Sequence, residues 1–104
     1  MIPMPVQRMG DSNAEGGIIM AGIPTVLVEG RPIATMGMPV APHGYNHYGA
    51  VTTASQFGVF CMGMPVTRMA DLDSCGDPRI GGALTVFVGQ SVPATTAVTG
   101  TGLL

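Results

Sequence analysis

Short apolar runs recur along the chain, each closing on a glycine: Val26-Leu27-Val28-Glu29-Gly30, Val59-Phe60-Cys61-Met62-Gly63 and Val86-Phe87-Val88-Gly89. β-branched and aromatic residues bounded by turn formers predict strands. A second pattern alternates with them. A Pro-x-x-Arg-Met-x-Asp string occurs as Pro5-Val6-Gln7-Arg8-Met9-Gly10-Asp11 and again as Pro65-Val66-Thr67-Arg68-Met69-Ala70-Asp71. Pro32-Ile33-Ala34-Thr35-Met36-Gly37-Met38 is a degraded copy, and Pro93-Ala94-Thr95-Thr96 a truncated one. The four prolines stand 27, 33 and 28 residues apart. Each unit then reads as a strand after the Pro-x-x-Arg, an excursion, a strand such as Ile18–Ala21, a turn and the Val-x-Val strand.

This spacing divides a single domain, residues 1–104, into units of about 5–31, 32–64 and 65–92, with a closing segment at 93–104. The tail Val98–Leu104 is expected as a last strand or a loose end. Units this small must pack on one another to bury a core. Three are too few for an open solenoid with caps, which predicts closure around a pseudo-three-fold axis. Composition agrees. The 16 glycines and 9 prolines leave Val66–Cys75, ten residues, as the longest run free of both. Either residue inside a helix costs about 1 to 3 kcal/mol relative to alanine, so long helices are excluded. With 46% apolar residues the chain is too hydrophobic for an unfolded tail. The expected fold is all-β, built from three hairpin-like repeats.

Charge removes several function classes. Six acids face four arginines, lysine is absent, and the net charge is -2. Nucleic-acid binding, which rests on phosphate neutralisation, is not expected. Without lysine no P-loop and no Schiff base can form. The stretch from Pro32 to Thr67 carries no charged residue, but its prolines and glycines break it too often for a membrane span. The opening Met1-Ile2-Pro3-Met4-Pro5 has neither part of a signal peptide, so synthesis in the cytoplasm is expected, or exit by a route that reads no such signal. The repeated Arg8 and Arg68, three residues before Asp11 and Asp71, are expected to form local ion pairs that brace a turn. Met9, Met36 and Met69 recur at one repeat position, which suits a gap-filling core or an adaptable interface better than a copper site.

The strings Gly30-Arg31-Pro32-Ile33-Ala34-Thr35-Met36-Gly37 and Met64-Pro65-Val66-Thr67-Arg68-Met69-Ala70-Asp71 resemble the proline-alanine-alanine-arginine (PAAR) repeat. The segment from Ala14 to Val28 is similar to that family's strand-turn-strand unit. The resemblance runs from about Pro5 to Thr95, although Thr35 and Thr95/Thr96 stand where the motif has arginine. It implies a small conical β-domain with pseudo-three-fold symmetry. Such domains cap a trimeric β-helical spike in type VI secretion systems and contractile phage tails, often with a metal near the point.

Two histidines and two cysteines, His43, His47, Cys61 and Cys75, are the chain's only imidazoles and thiols. Four N/S ligands suit one tetrahedral zinc, and His43 and His47 have the H-x3-H spacing. Counting back from the first valine of each Val-x-Val strand, Glu15 lies 11 residues before Val26, His47 lies 12 before Val59, and Cys75 lies 11 before Val86. Equivalent loops thus carry potential ligands. The expected site holds one metal ion, zinc before iron, on His43, His47 and Cys75. Cys61, Glu15 or water is the fourth ligand. Cys61 also aligns with Val28 and Val88, where a free cysteine reads as a small core residue. A Cys61–Cys75 disulfide is disfavoured without an export signal.

Two other classes compete. Cys75, beside Asp73 and Asp77, could join a histidine base in a Cys-His hydrolase, or a three-ligand zinc could use Glu15 as base. A small metal carrier is the third class. Against both hydrolase forms, the chain lacks a G-x-S-x-G elbow and has little room for a cleft. The reading from resemblance is therefore a structural, non-enzymatic spike tip. It would bind one trimeric spike protein per copy, touch the target membrane only transiently, form no homo-oligomer, and reside in a virion tail or secretion spike.

Overall fold

In the computed structural model, residues 3–44 and 47–89 are described. The expected closing segment at 93–104, with its truncated repeat and the Val98–Leu104 tail, lies outside the described residues. Six short strands form three antiparallel pairs: β1 (Met4–Pro5) with β6 (Phe87–Val88), β2 (Ile23–Val28) with β3 (Arg31–Ile33), and β4 (Phe60–Cys61) with β5 (Met64–Pro65). The described residues contain no helix, and none is long and apolar enough to cross a membrane. The fold is all-β.

Two of the pairs are hairpins closed by two-residue turns, Glu29-Gly30 and Met62-Gly63. In both turns both residues have positive φ, at 53° and 84° in the first and 53° and 81° in the second. That conformation matches the twist of the flanking strands, and glycine at the second position supplies it without steric cost. The third pair has no turn. It joins the two ends of the described chain, with Met4 opposite Val88 and Pro5 opposite Phe87.

Beyond the pairs, the three Pro-containing segments bond to one another in cyclic order. The amide of Gln7 donates to the Thr67 carbonyl (2.9 Å), Thr67 to Ala34 (3.0 Å) and Ala34 to Gln7 (2.9 Å). The next ring runs from Met9 to Pro32, Met36 to Pro65 and Met69 to Pro5, at 2.9, 2.9 and 2.8 Å. A further ring runs from Ala14 to Pro78, Ala41 to Ile18 and Ser74 to Val51, at 2.9, 2.9 and 2.8 Å. Proline fits here because the ring uses its carbonyl and asks nothing of the missing N–H.

The cyclic bonding also explains where the strands differ from expectation. The Pro-x-x-Arg segments are strands only up to or just past the proline. Beyond it successive residues bond different neighbours, leaving isolated bridges such as Val6 with Arg68 and Thr35 with Val66. Likewise Ile18–Ala21 is no strand: Ile18 bridges to Ser12 and Ile19 to Val40, two different segments, so no ladder propagates.

The core takes the residue after each proline, Val6, Ile33 and Val66, together with Val28, Val88 and Ala83; Ile23 and Cys61 pack against it. Side chains alternate along a strand. The residues preceding Val28, Cys61 and Val88 therefore face outward, with Leu27, Phe60 and Phe87 at 60%, 52% and 51% exposed. Met9 is exposed and Met36 and Met69 half-buried, so that repeated methionine is not core.

The expected turn braces are present. Asp11 Oδ2 accepts the Arg8 backbone N–H at 2.8 Å and Nε at 3.0 Å. Asp71 Oδ2 accepts the Arg68 backbone N–H at 2.8 Å. The third residue of each such turn, Gly10, Gly37 and Ala70, has φ of 93°, 92° and 77°. A β-carbon in this region costs roughly 1–2 kcal/mol, partly offset by the greater freedom of glycine in the unfolded chain. Ala70→Gly should thus raise stability by about 0.5–1 kcal/mol in urea unfolding. A loss of stability would show that Ala70 is not strained.

Candidate metal centre

Three loops follow the third ring of bonds. The first and third are the same turn. Gly16 and Gly76 donate to the Asn13 and Asp73 carbonyls at 3.1 and 2.8 Å, while Asn13 and Asp73 donate to Gly17 and Asp77 at 3.0 and 2.8 Å. Gly16 and Gly76 take φ of 87° and 96°, which the tight reversal requires. The second loop is a longer excursion in which His43 and His47 face each other across an antiparallel bridge. Their rings meet edge to face at a centroid distance of 5.1 Å.

These loops bring His43, His47, Cys75 and Asp77 together, with one ligand atom of each within 4.8 Å of all the others. Asp77 Oδ2 lies 3.0 Å from His43 Nε2 and 2.8 Å from His47 Nδ1. Cys75 Sγ is 3.3 Å from His43 Nε2 and 3.5 Å from Asp77 Oδ2. A tetrahedral zinc with bonds of about 2.0–2.3 Å sets its ligand atoms roughly 3.3–3.8 Å apart. The group needs only small adjustments to reach that geometry.

The protonation pattern points the same way. His43 Nδ1 is 2.7 Å from the Ala41 carbonyl, an acceptor only, so Nδ1 carries the proton. Nε2 then carries the lone pair, with the Asn13 amide at 3.0 Å as a donor, and the Asp77 carboxylate at 3.0 Å is a second acceptor beside it that a cation would accommodate. A backbone carbonyl holding the far nitrogen is also the usual arrangement behind a metal-bound imidazole.

Burial pushes the Cys75 thiol up, only partly offset by the Asp77 backbone N–H, and the Asp77 and Asp73 charges push it further. Burial would also raise Asp77, but hydrogen bonds from His47 and Cys75 and the His47 charge outweigh it, and its carboxyl is held below the usual range. The thiol is thus disfavoured as a thiolate on its own, whereas coordination deprotonates a thiol outright.

Of the expected ligands, His43, His47 and Cys75 meet. Cys61 does not join them: it packs against the core cluster, at the repeat position of Val28 and Val88. Glu15 is exposed beside Gly44 and does not enter the group. Sequence reasoning noticed Asp77 only as a neighbour of Cys75 and did not place it in this group. The signal was the turn equivalence, which sets Asp77 opposite Gly17, at the end of the loop where a side chain can turn towards the histidines.

The repeated turns, the cyclic bonding and the His/Cys/Asp group agree with the comparison to known families. No curated protein matches the chain. The family model for the PAAR motif matches residues 9–81, more than half of the chain and all three loops of the centre, and the protein belongs to the PAAR-motif family.

Proposed function

We propose that this protein is the tip of a spike in a contractile injection machine, a phage tail or a secretion system. One copy caps a trimeric β-helical spike protein, and one metal ion ties the loops together at the far end. The observation that carries this reading is the cyclic order of the backbone bonds. A single chain can match a true trimer only if it offers three similar edges around a pseudo-three-fold axis. The rings through Gln7, Ala34 and Thr67 and through Met9, Met36 and Met69 support such an axis. The ribbons β1–β6, β2–β3 and β4–β5 are each joined to one of the Pro-containing segments that form the rings. Their outward residues Leu27, Phe60 and Phe87 are exposed and apolar, one to each ribbon. They form the docking surface, and because each ribbon has two strands among the described residues, its outer edges offer pairing to another chain.

His43, His47, Cys75 and Asp77 form the ligand set, and its two nitrogens, one sulfur and one carboxylate oxygen suit zinc first and iron second. Bound there, the ion would cross-link the histidine loop to the loop of Cys75 and Asp77. Four protein ligands close a tetrahedral site, which favours a structural role over hydrolysis. The mass of the complex co-purified with its spike protein tests the capping model. One chain for each trimer is expected. Three copies per trimer, or no complex at all, would refute it.

A further inference from the structure

Asn13 lies on the loop that adds no side chain to the ligand group, yet its amide touches all three loops. Its Oδ1 accepts the backbone N–H groups of Glu15 (2.9 Å) and Gly17 (2.7 Å), closing its own turn. Two donors on that side settle which way the amide faces, so Nδ2 points the other way. It donates to Asp73 Oδ2 at 2.7 Å, on the third loop, and lies 3.0 Å from His43 Nε2, on the second. Asp73 Oδ2 is held in turn by Arg79 Nη1 at 2.8 Å, and the side chains of both are fully buried. Asn13 itself is only 1% exposed. The backbone behind it is equally close. A β-carbon on Gly17 would stand 2.5 Å from Asn13 Nδ2 and 2.6 Å from His43 Nδ1, so only glycine lets the loop lie against the imidazole.

We propose that Asn13 is a positioning residue for the metal centre. Its amide ties its own loop to the cysteine loop through the buried Asp73–Arg79 pair and holds Gly17 against the ring of His43, which fixes the two ligand loops relative to each other. The inference rests on the ligand set proposed above. The physical reason is pre-organisation. Ligands carried on two separate loops lose conformational freedom when an ion gathers them, and a buried joint that has already fixed the relative positions of those loops removes much of that cost. Asn13 also addresses the lone pair that the ion needs, so its N–H must shift when Nε2 coordinates.

A competing account confines Asn13 to its own turn. Asn13→Ser separates the two, because a serine hydroxyl can still accept the turn N–H groups but is too short to reach both Asp73 and His43. Cobalt(II) titration of the purified chain, with zinc competition, should show Asn13→Ser binding roughly 10–100-fold more weakly than wild type. Its cobalt absorption bands should also be altered. Affinity within twofold of wild type and an unchanged spectrum would overturn the proposal.

A measurement on the wild type keeps the test open if the variant fails to fold. Zinc titration followed by NMR should shift the Asn13 side-chain amide protons together with His43 Nε2. Amide resonances that stay still while His43 moves would overturn the proposal and leave the ligand set standing. A wild-type chain that takes up neither cobalt nor zinc would remove the centre itself, and the role of Asn13 with it.

Discussion

Stripping the metal, or replacing Cys75 by alanine, should lower the melting temperature of this chain by roughly 20 °C or more. Structural zinc contributes on the order of 10 kcal/mol of folding free energy in small metal-bound domains. In a domain this size each kcal/mol moves the melting temperature by roughly 4–8 °C. Even half of the zinc-finger value gives the expected drop of about 20 °C at the low end of that range. Cys61→Val is the control. Its position is that of Val28 and Val88, both buried in the core cluster, so valine should fit there with little change in stability and none in metal content. Differential scanning calorimetry beside elemental analysis checks both. Metal lost with Cys61→Val but kept with Cys75→Ala would mean that the wrong thiol has been assigned.

Arg79→Met should destabilise the folded chain by about 3–5 kcal/mol, the usual effect of removing one partner from a buried ion pair. Arg79 Nη1 bonds Asp73 Oδ2 at 2.8 Å with both side chains out of contact with solvent. Its Nε donates to Gln7 Oε1 at 3.1 Å, and Nη1 and Nη2 also donate to the Gly17 and Asp11 carbonyls. Methionine strands the Asp73 charge without its cation and removes a donor from each of these acceptors. Asp73 keeps only the Asn13 amide on Oδ2, since among the described residues its Oδ1 has no hydrogen-bond partner. Combining Arg79→Met with Asp73→Asn should cost less than the sum of the two single changes, because the second removes the charge that the first strands. Urea unfolding at saturating zinc measures all three. A loss below about 1 kcal/mol for Arg79→Met would show that the pair is not buried as described.

The Val-x-Val strands, the turn braces and the inward valines were legible along the chain, because each rests on neighbours in sequence. Val-x-Val followed by x-Gly specifies a strand and a two-residue turn whatever the rest of the chain does. Arg8 with Asp11 and Arg68 with Asp71 act over three residues. The periodic valines likewise mark the inward face of each strand, since alternation is a local property. That logic also gave Cys61 a core reading, and in the structure it packs against the core cluster.

What the tertiary structure alone decided lies between segments distant in sequence. Nothing local says that β1 pairs with β6 across the length of the chain, or that Ile18 and Ile19 bond two different neighbours instead of one strand. Asp77 reads along the chain as one more loop acid. It becomes a ligand candidate only because the turn shared with residues 13–17 presents it to histidines thirty or more positions earlier. The same holds for Asn13, Asp73 and Arg79, polar residues that a sequence would place at the surface. They lie inside because the loops of three units converge there and each polar atom that loses water must find a partner on another loop. Periodicity records which way a side chain points; which other loop it meets depends on how the chain closes on itself.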